Sequence, residues 1–250
     1  MILLLDIGNT RIKWGWLQAG LLRPGGAVAH GRHPQRVLAD WTQAPRPQRV
    51  LAVSVATQQL NGAVTAWLKR HWNLDMQLVR PSAAAAGVRC GYANPDQLGA
   101  DRWVAAIGAY ALSRTAVCVV DCGSALTLDA VDAEGQHRGG LIAPGWQLMR
   151  ESLHRGTARL PLAGADAVQL FATDTDSAIA SGTLLGAAAM IDQLAGRMAA
   201  ELGGSATLWL TGGGAPALQP YLRLEFRHEP DLVLQGLAVL AAGIGGGRLD

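Results

Sequence analysis

The chain has three cysteines, Cys90, Cys118 and Cys122, and their spacing fits neither a disulfide framework nor a zinc site. Cys118 and Cys122 flank a predicted buried strand, where a thiol acts as a small apolar residue. Nothing here asks for an oxidising compartment, and a reducing cytoplasm is expected. Charge of one sign is also missing: 21 Lys and Arg face 19 Asp and Glu, a net of +2. That leaves no electrostatic footprint for nucleic acid, and clusters such as Lys69-Arg70-His71 read as solvated helix ends. The six histidines (His30, His33, His71, His137, His154, His228) show no ligand spacing beyond the weak His30/His33 pair, and most are expected at the surface. The apolar run at Met1–Leu5 is too short for a signal peptide and has no basic leader. The stretch from Leu184 to Leu194 is interrupted by Asp192, so no bilayer span and no membrane partner are expected. Neither a P-loop nor a dinucleotide glycine fingerprint occurs.

What is present is a chain of 250 residues, half of them apolar, enough for a substantial core. Apolar runs and alternation predict strands at 2–5, 12–17, 49–55, 76–79, 116–120, 125–131, 137–142 and 207–210. In the second of these, Ile12, Trp14 and Trp16 share one face. Helical spacing predicts helices at 58–72, 101–113, 177–202 and 232–242, with a short one after Thr211-Gly-Gly-Gly214. The helix at 101–113 should bury one stripe through Val104, Ile107, Gly108, Ala111 and Leu112. Gly182 and Gly186 should admit another backbone close to the 177–202 helix, and Gly243–Gly247 should fray. Core packing is the expected role of Trp14, Trp16, Trp67, Trp103 and Trp209. Strands and helices mixed in this order give an α/β protein.

The chain also echoes itself. Leu-Leu-Leu-Asp6-Ile-Gly8-Asn9-Thr10 is repeated as Val-Val-Asp121-Cys-Gly123-Ser124, and Gly20 and Gly135 each follow their Asp by fourteen positions. The offset is 115 residues throughout, as a duplicated strand-turn-strand unit would show. The expected division is residues 1–115 and 116–250.

A Gly in such a turn lets backbone N–H groups face an anion. Asn9 and Thr10 add side-chain donors, Lys13 adds a compact positive charge, and Asp6 at a strand end suits a hydrated magnesium ion. A plain Gly-Asn hairpin turn with an exposed Asp fits the first copy equally well. Asp101 and Arg102 open a predicted helix. They fit an N-cap beside a solvated Arg, or a carboxylate held against a substrate hydroxyl beside a guanidinium fork for a substrate carboxylate. Asp121 fits a strand-end acid satisfied by backbone amides or by a cation.

Taken together, eight motifs resemble type III pantothenate kinases in order along nearly the whole chain. They are Asp6 to Lys13, Tyr92 with Gly99-Ala-Asp101-Arg102, Asp121-Cys-Gly-Ser124-Ala-Leu-Thr127, and Gly139 to Gly145. Thr157 to Pro161, Thr175 to Gly182, Thr211-Gly-Gly213 and Pro230 to Gly236 complete the set. The resemblance implies two duplicated actin-like (ribonuclease H-like) domains with mixed sheets flanked by helices. It implies ATP-dependent phosphorylation of pantothenate to 4′-phosphopantothenate, the first step towards coenzyme A, by a cytoplasmic homodimer needing Mg²⁺ and a monovalent cation, K⁺ or NH₄⁺. By position, Asp6, Gly8, Asn9, Thr10, Lys13 and Ser124 match ATP-binding residues, and Asp6 would also face Mg²⁺ through water. Asp101 matches the catalytic base; Tyr92, Gly99, Asp101, Arg102 and Thr175 match pantothenate contacts, with Thr175 reaching across the dimer interface. Asp121 matches the monovalent-cation ligand. Ser124 replaces a usual Thr and keeps the hydroxyl. Leu128 aligns with Lys13, so a bound cation would supply the positive charge the second turn lacks. A different small-molecule kinase of the same fold and a non-catalytic regulator are the competing readings.

Overall fold

The computed structural model describes residues 1–29, 38, 41, 42, 44–162, 164 and 168–243. His30, His33 and most of the terminal Gly-rich segment lie outside them. The described residues divide into two compact units. The first holds Met1–Arg114, Gly135–His137 and Asp231–Asp250; the second holds Thr115–Glu134 and Arg138–Pro230. The chain first passes from one unit to the other between Arg114 and Thr115. The closing helix belongs to the first unit.

Unit 1 is built on β1 (Ile2–Ile7), β2 (Arg11–Gln18), β3 (Leu21–Ala29), β4 (Arg49–Ser54) and β5 (Met76–Leu78), in sheet order β3-β2-β1-β4-β5. β1 runs antiparallel to β2 and parallel to β4, so the sheet is mixed. As the central strand, β1 is covered on both faces, which is why Leu3, Leu4 and Leu5 are a continuous apolar run and fully buried. On one face Leu3, Leu5, Ile7, Ile12 and Trp14 meet Leu60, Val64, Leu68 and Trp72 of α1 (Gln58–Trp72), with Trp16 packed beside them. Each such side chain contributes about 1.5–3 kcal/mol on burial. Trp41 completes this core, edge-on to Trp14 at 5.9 Å and to Trp67 at 5.6 Å. Lys69, Arg70 and His71 fall in the last turn of α1, where positive charge complements the helix dipole. A two-stranded ladder, β6 (Ala84–Ala85) with β7 (Val88–Arg89), leads to α2 (Ala100–Ser113). This helix is buried from Arg102 to Ala109, a wider face than the single stripe expected, and Leu112 is exposed instead. The closing helix, α6 (Leu232–Gly243), packs on α2 and against β1 and β2.

Unit 2 repeats the plan with β8 (Val117–Cys122), β9 (Ala125–Val131), β10 (His137–Pro144), β11 (Thr207–Thr211) and β12 (Arg227–His228), in order β10-β9-β8-β11-β12. Gly20 and Gly135 hold the same left-handed φ of 78° just before the third strand of each sheet. Two helices follow β10: α3 (Trp146–Gly156), which periodicity alone did not reveal, and α4 (Thr175–Glu201). A short α5 (Ala215–Leu218) follows the glycine loop. α4 is long and apolar enough to cross a membrane, yet half of its most apolar stretch is buried inside the protein. Leu184, Ala187, Ala188, Ile191 and Ala195 pack on Cys118, Val120, Leu126 and Leu128, while Asp192 accepts the backbone N–H groups of Arg223 and Leu224. It is a core helix. Gly182 and Gly186 admit no close backbone: a Cβ on either meets nothing within 4 Å among the described residues.

Candidate active site

In unit 1 the turn between β1 and β2 is closed by the Gly8 N–H, which donates to the Arg11 carbonyl at 3.0 Å. Asn9 and Thr10 project into solvent, and Asp6 and Lys13 are half-buried. The antiparallel register sets Asp6 directly opposite Lys13, so the two side chains leave the same face of the sheet. Lys13 Nζ also lies 3.5 Å from an oxygen of Asp231, the residue before α6, and each side chain is only 19% exposed. At the dielectric of a protein surface that attraction is on the order of 4 kcal/mol before both groups' desolvation is subtracted.

The substrate-side candidates gather around the start of α2. Gly99 is the N-cap, and its carbonyl accepts the Trp103 N–H at 3.0 Å. Asp101 is therefore in the first turn, not the cap, and its Oδ1 accepts the Arg102 backbone N–H at 2.8 Å. A Cβ on Gly99 would stand 2.8 Å from that same Oδ1, so a side chain there would displace the carboxylate. Arg102 is buried rather than solvated, and its Nη1 donates to the Tyr92 hydroxyl at 3.2 Å. His137, expected at the surface, is 1% exposed. Its ring stacks on Tyr92 at 6.0 Å and meets Trp103 edge-on at 6.5 Å. Nothing in its sequence context marked it, because it is brought to unit 1 from the start of β10.

In unit 2 the turn after β8 is one residue tighter. Cys122 pairs with Leu126 and Asp121 with Thr127, so Thr127 and not Leu128 occupies the place of Lys13. Leu128 points into the core with no exposure. The turn is walled by glycine backbone. A Cβ on Gly212, whose φ is 89°, would strike the Asp121 carboxylate and the Cys122 backbone. One on Gly214 would stand 2.8 Å from the Cys122 carbonyl, and one on Gly145 would meet the carbonyls of Gly123 and Ser124. The Thr211–Gly214 loop is thus a packed wall and not a flexible turn. Burial pushes the Cys122 thiol up to about 12, with the Asp121 charge adding to the shift, and Cys118 is raised to about 12 chiefly by burial.

Thr175 lies apart from these groups within unit 2, in the first turn of α4, which Asp174 caps by accepting the Ser177 N–H at 2.9 Å. It lines an open groove of about 610 Å³ with Met149, Leu153, Leu160 and Ile179. Among the described residues no three His, Cys, Asp or Glu side chains form a metal cluster. A magnesium ion would rest on Asp6, water and phosphate oxygens, which suits its chemistry.

The family model of type III pantothenate kinase matches residues 2–197. The chain is 39% identical over 249 residues to the type III pantothenate kinase of Nitrosococcus oceani, covering 96% of this chain and 94% of that one. It is 43% identical over 242 residues to that of Aromatoleum aromaticum, covering 96% and 98%. The fold is shared with the 2-hydroxyisocaproyl-CoA dehydratase activator of Clostridium difficile with bound ADPNP (TM-score 0.53, 13% identity, 100% and 99% covered). It is also shared with MreB 5 of Spiroplasma citri bound to AMPPNP (TM-score 0.50, 12% identity, 98% and 96% covered). The fold is therefore the actin-like, ribonuclease H-like one expected, and the chain belongs to the type III pantothenate kinase family.

Proposed function

We propose that this protein phosphorylates pantothenate at the expense of ATP, giving 4′-phosphopantothenate and ADP on the route to coenzyme A. The observation that carries the reading is the start of α2, where a carboxylate and a buried guanidinium stand side by side, the latter tied to Tyr92. Pantothenate carries a primary hydroxyl and a carboxylate, one target for each group. Asp101 orients the hydroxyl and takes its proton as the new P–O bond forms; the bond from the γ-phosphorus to the bridging oxygen breaks and ADP leaves. A weak carboxylate base suffices, because in a loose phosphoryl transition state the proton moves late. Arg102 and Tyr92 hold the substrate carboxylate, and the missing side chain at Gly99 leaves room beside the Asp101 carboxylate. Gly8, Asn9, Thr10 and Ser124 hold phosphate oxygens, and Lys13 offsets their charge.

Bound Mg²⁺ supplies charge neutralisation of the triphosphate, with Asp6 as its protein contact through water. Asp121 is assigned to a monovalent cation, K⁺ or NH₄⁺; support comes from the absence of a lysine opposite it and the presence of Thr127 there. We assign a homodimer and a cytoplasmic location. Thr175 serves as a substrate contact offered by the partner copy, consistent with its exposed position beside an open apolar groove. The test is a coupled ADP assay with pantothenate, ATP and Mg²⁺, with K⁺ or with Na⁺ alone. Turnover that requires both pantothenate and K⁺ is expected; ADP release indifferent to pantothenate overturns the reading.

A further inference from the structure

Asp231 immediately precedes α6: its carbonyl accepts the Gln235 N–H at 2.9 Å, and its carboxylate lies 3.5 Å from Lys13 Nζ. Lys13 also stands across from Asp6 in the β1–β2 register. The ammonium of the first turn thus has the carboxylate of Asp231 beside it, from a segment more than 200 residues away in sequence, while Asp6 is its cross-strand neighbour in the hairpin. A lysine is a point charge on a flexible four-carbon stem, so its position depends on such neighbours.

The helix that follows Asp231 has little freedom to shift. A Cβ on Gly236 would collide with the Val104 carbonyl, and one on Gly108 would stand 2.7 Å from the Leu232 carbonyl and 2.9 Å from the Gly236 nitrogen. The backbones of α6 and α2 are in direct contact. Val104 is one turn along α2 from Asp101, so the helix contact joins the start of α2, which carries Asp101, to α6, which follows Asp231.

The geometry points to Asp231 as the positioning residue for Lys13, holding its ammonium in fixed relation to Asp101 so that it meets developing phosphate charge without reordering. This rests on the roles given above to Lys13 and Asp101. A preset charge acts mainly on the transition state, so its loss appears in kcat more than in ATP binding.

The experiment uses the full chain and compares wild type, Asp231→Asn, Asp231→Glu, Lys13→Ala and the Lys13→Ala/Asp231→Asn double variant. It measures kcat, the ATP KM and the rate at which acetic anhydride acylates Lys13, followed by mass spectrometry. Asp231→Asn should lower kcat about tenfold or more and change the ATP KM less than about threefold. Asp231→Glu should regain most of that loss. In the Lys13→Ala background, Asp231→Asn should change kcat by less than about twofold, since the group it positions is gone. Acylation of Lys13 should rise about threefold or more in Asp231→Asn as the stem is released. Unchanged kcat in Asp231→Asn, or a loss that multiplies with that of Lys13→Ala, overturns the inference. Failure of the functional reading looks different: wild type without pantothenate turnover removes the reaction, while the acylation rate still decides whether Asp231 holds Lys13.

Discussion

The two Asp-x-Gly turns begin alike and end as different devices. The turn at Asp6 offers side chains: Asn9 and Thr10 are open to solvent, and Lys13 stands opposite the Asp. The turn at Asp121 is one residue shorter, puts Thr127 opposite its Asp, and is enclosed by the backbone at Gly145, Gly212 and Gly214. A single deleted residue in a hairpin flips the side chain that faces the partner, because strand side chains alternate with a period of two. One duplicated turn thereby keeps its fixed positive charge, while the other has carbonyls and a hydroxyl, which are ligands for a hard monovalent cation.

The largest expected contrast sets the acid of α2 against the acid of the second turn. Asp101→Asn should lower kcat by about 10²–10⁴-fold with the fold intact. Asp121→Asn should cost less and remove the stimulation by K⁺; steady-state assays in K⁺ and in Na⁺ separate the two. Near-normal turnover of Asp101→Asn would remove it from the mechanism.

A lysine placed in the second turn tests the register itself. Thr127→Lys puts an ammonium opposite Asp121 and should give activity that no longer depends on K⁺. Leu128→Lys puts the same charge into a fully buried core position and should destabilise the protein by several kcal/mol, on the order of 3–5, in denaturant titrations. The reverse result would show that the alignment by offset, and not the hairpin register, describes the second turn.

Glycine substitutions probe the walls. Gly212→Ala adds a methyl against the Asp121 carboxylate at a φ of 89° and should cost about 1–3 kcal/mol of stability. At Gly8 the added Cβ would lie 3.2 Å from the Arg11 carbonyl, a contact that a small shift relieves, so Gly8→Ala should cost under about 1 kcal/mol. Thermal unfolding of the two variants measures the difference.

The smallest effect concerns the thiols. With Cys118 and Cys122 raised to about 12, only Cys90 should react with a thiol reagent near pH 8 in the native state, and all three after unfolding. Both folded values exceed the ordinary thiol value of 9.0, so this contribution to stability is present below pH 9 and is lost as the pH rises towards 12. Equal labelling of the three thiols in native protein would show that the second turn opens readily.

Local pattern made much of the fold legible. The run at Leu3–Leu5, the α1 spacing of Leu60, Val64 and Leu68, and the paired Asp and Gly landmarks each depend on neighbours a few positions apart. β3 was not legible, because Leu21–Ala29 is mostly exposed and holds Pro24, Gly25 and Gly26, residues that sequence patterning counts against a strand. α3 escaped notice for a related reason: none of its residues is buried. At the site, the α2 group of Asp101 and Arg102 was visible as adjacent residues at a helix start, whereas His137 beneath Tyr92 was not.

By itself, the sequence determined the duplicated strand-turn-strand plan, the family and the residue types offered for phosphate, hydroxyl and carboxylate. Tertiary structure alone decided which residue faces each turn's acid, that Asp231 reaches Lys13, and that Gly212 walls Asp121. The physical reason is the same in all three cases. Hairpin register and contacts between distant segments are set by how whole faces pack, and no local spacing records them.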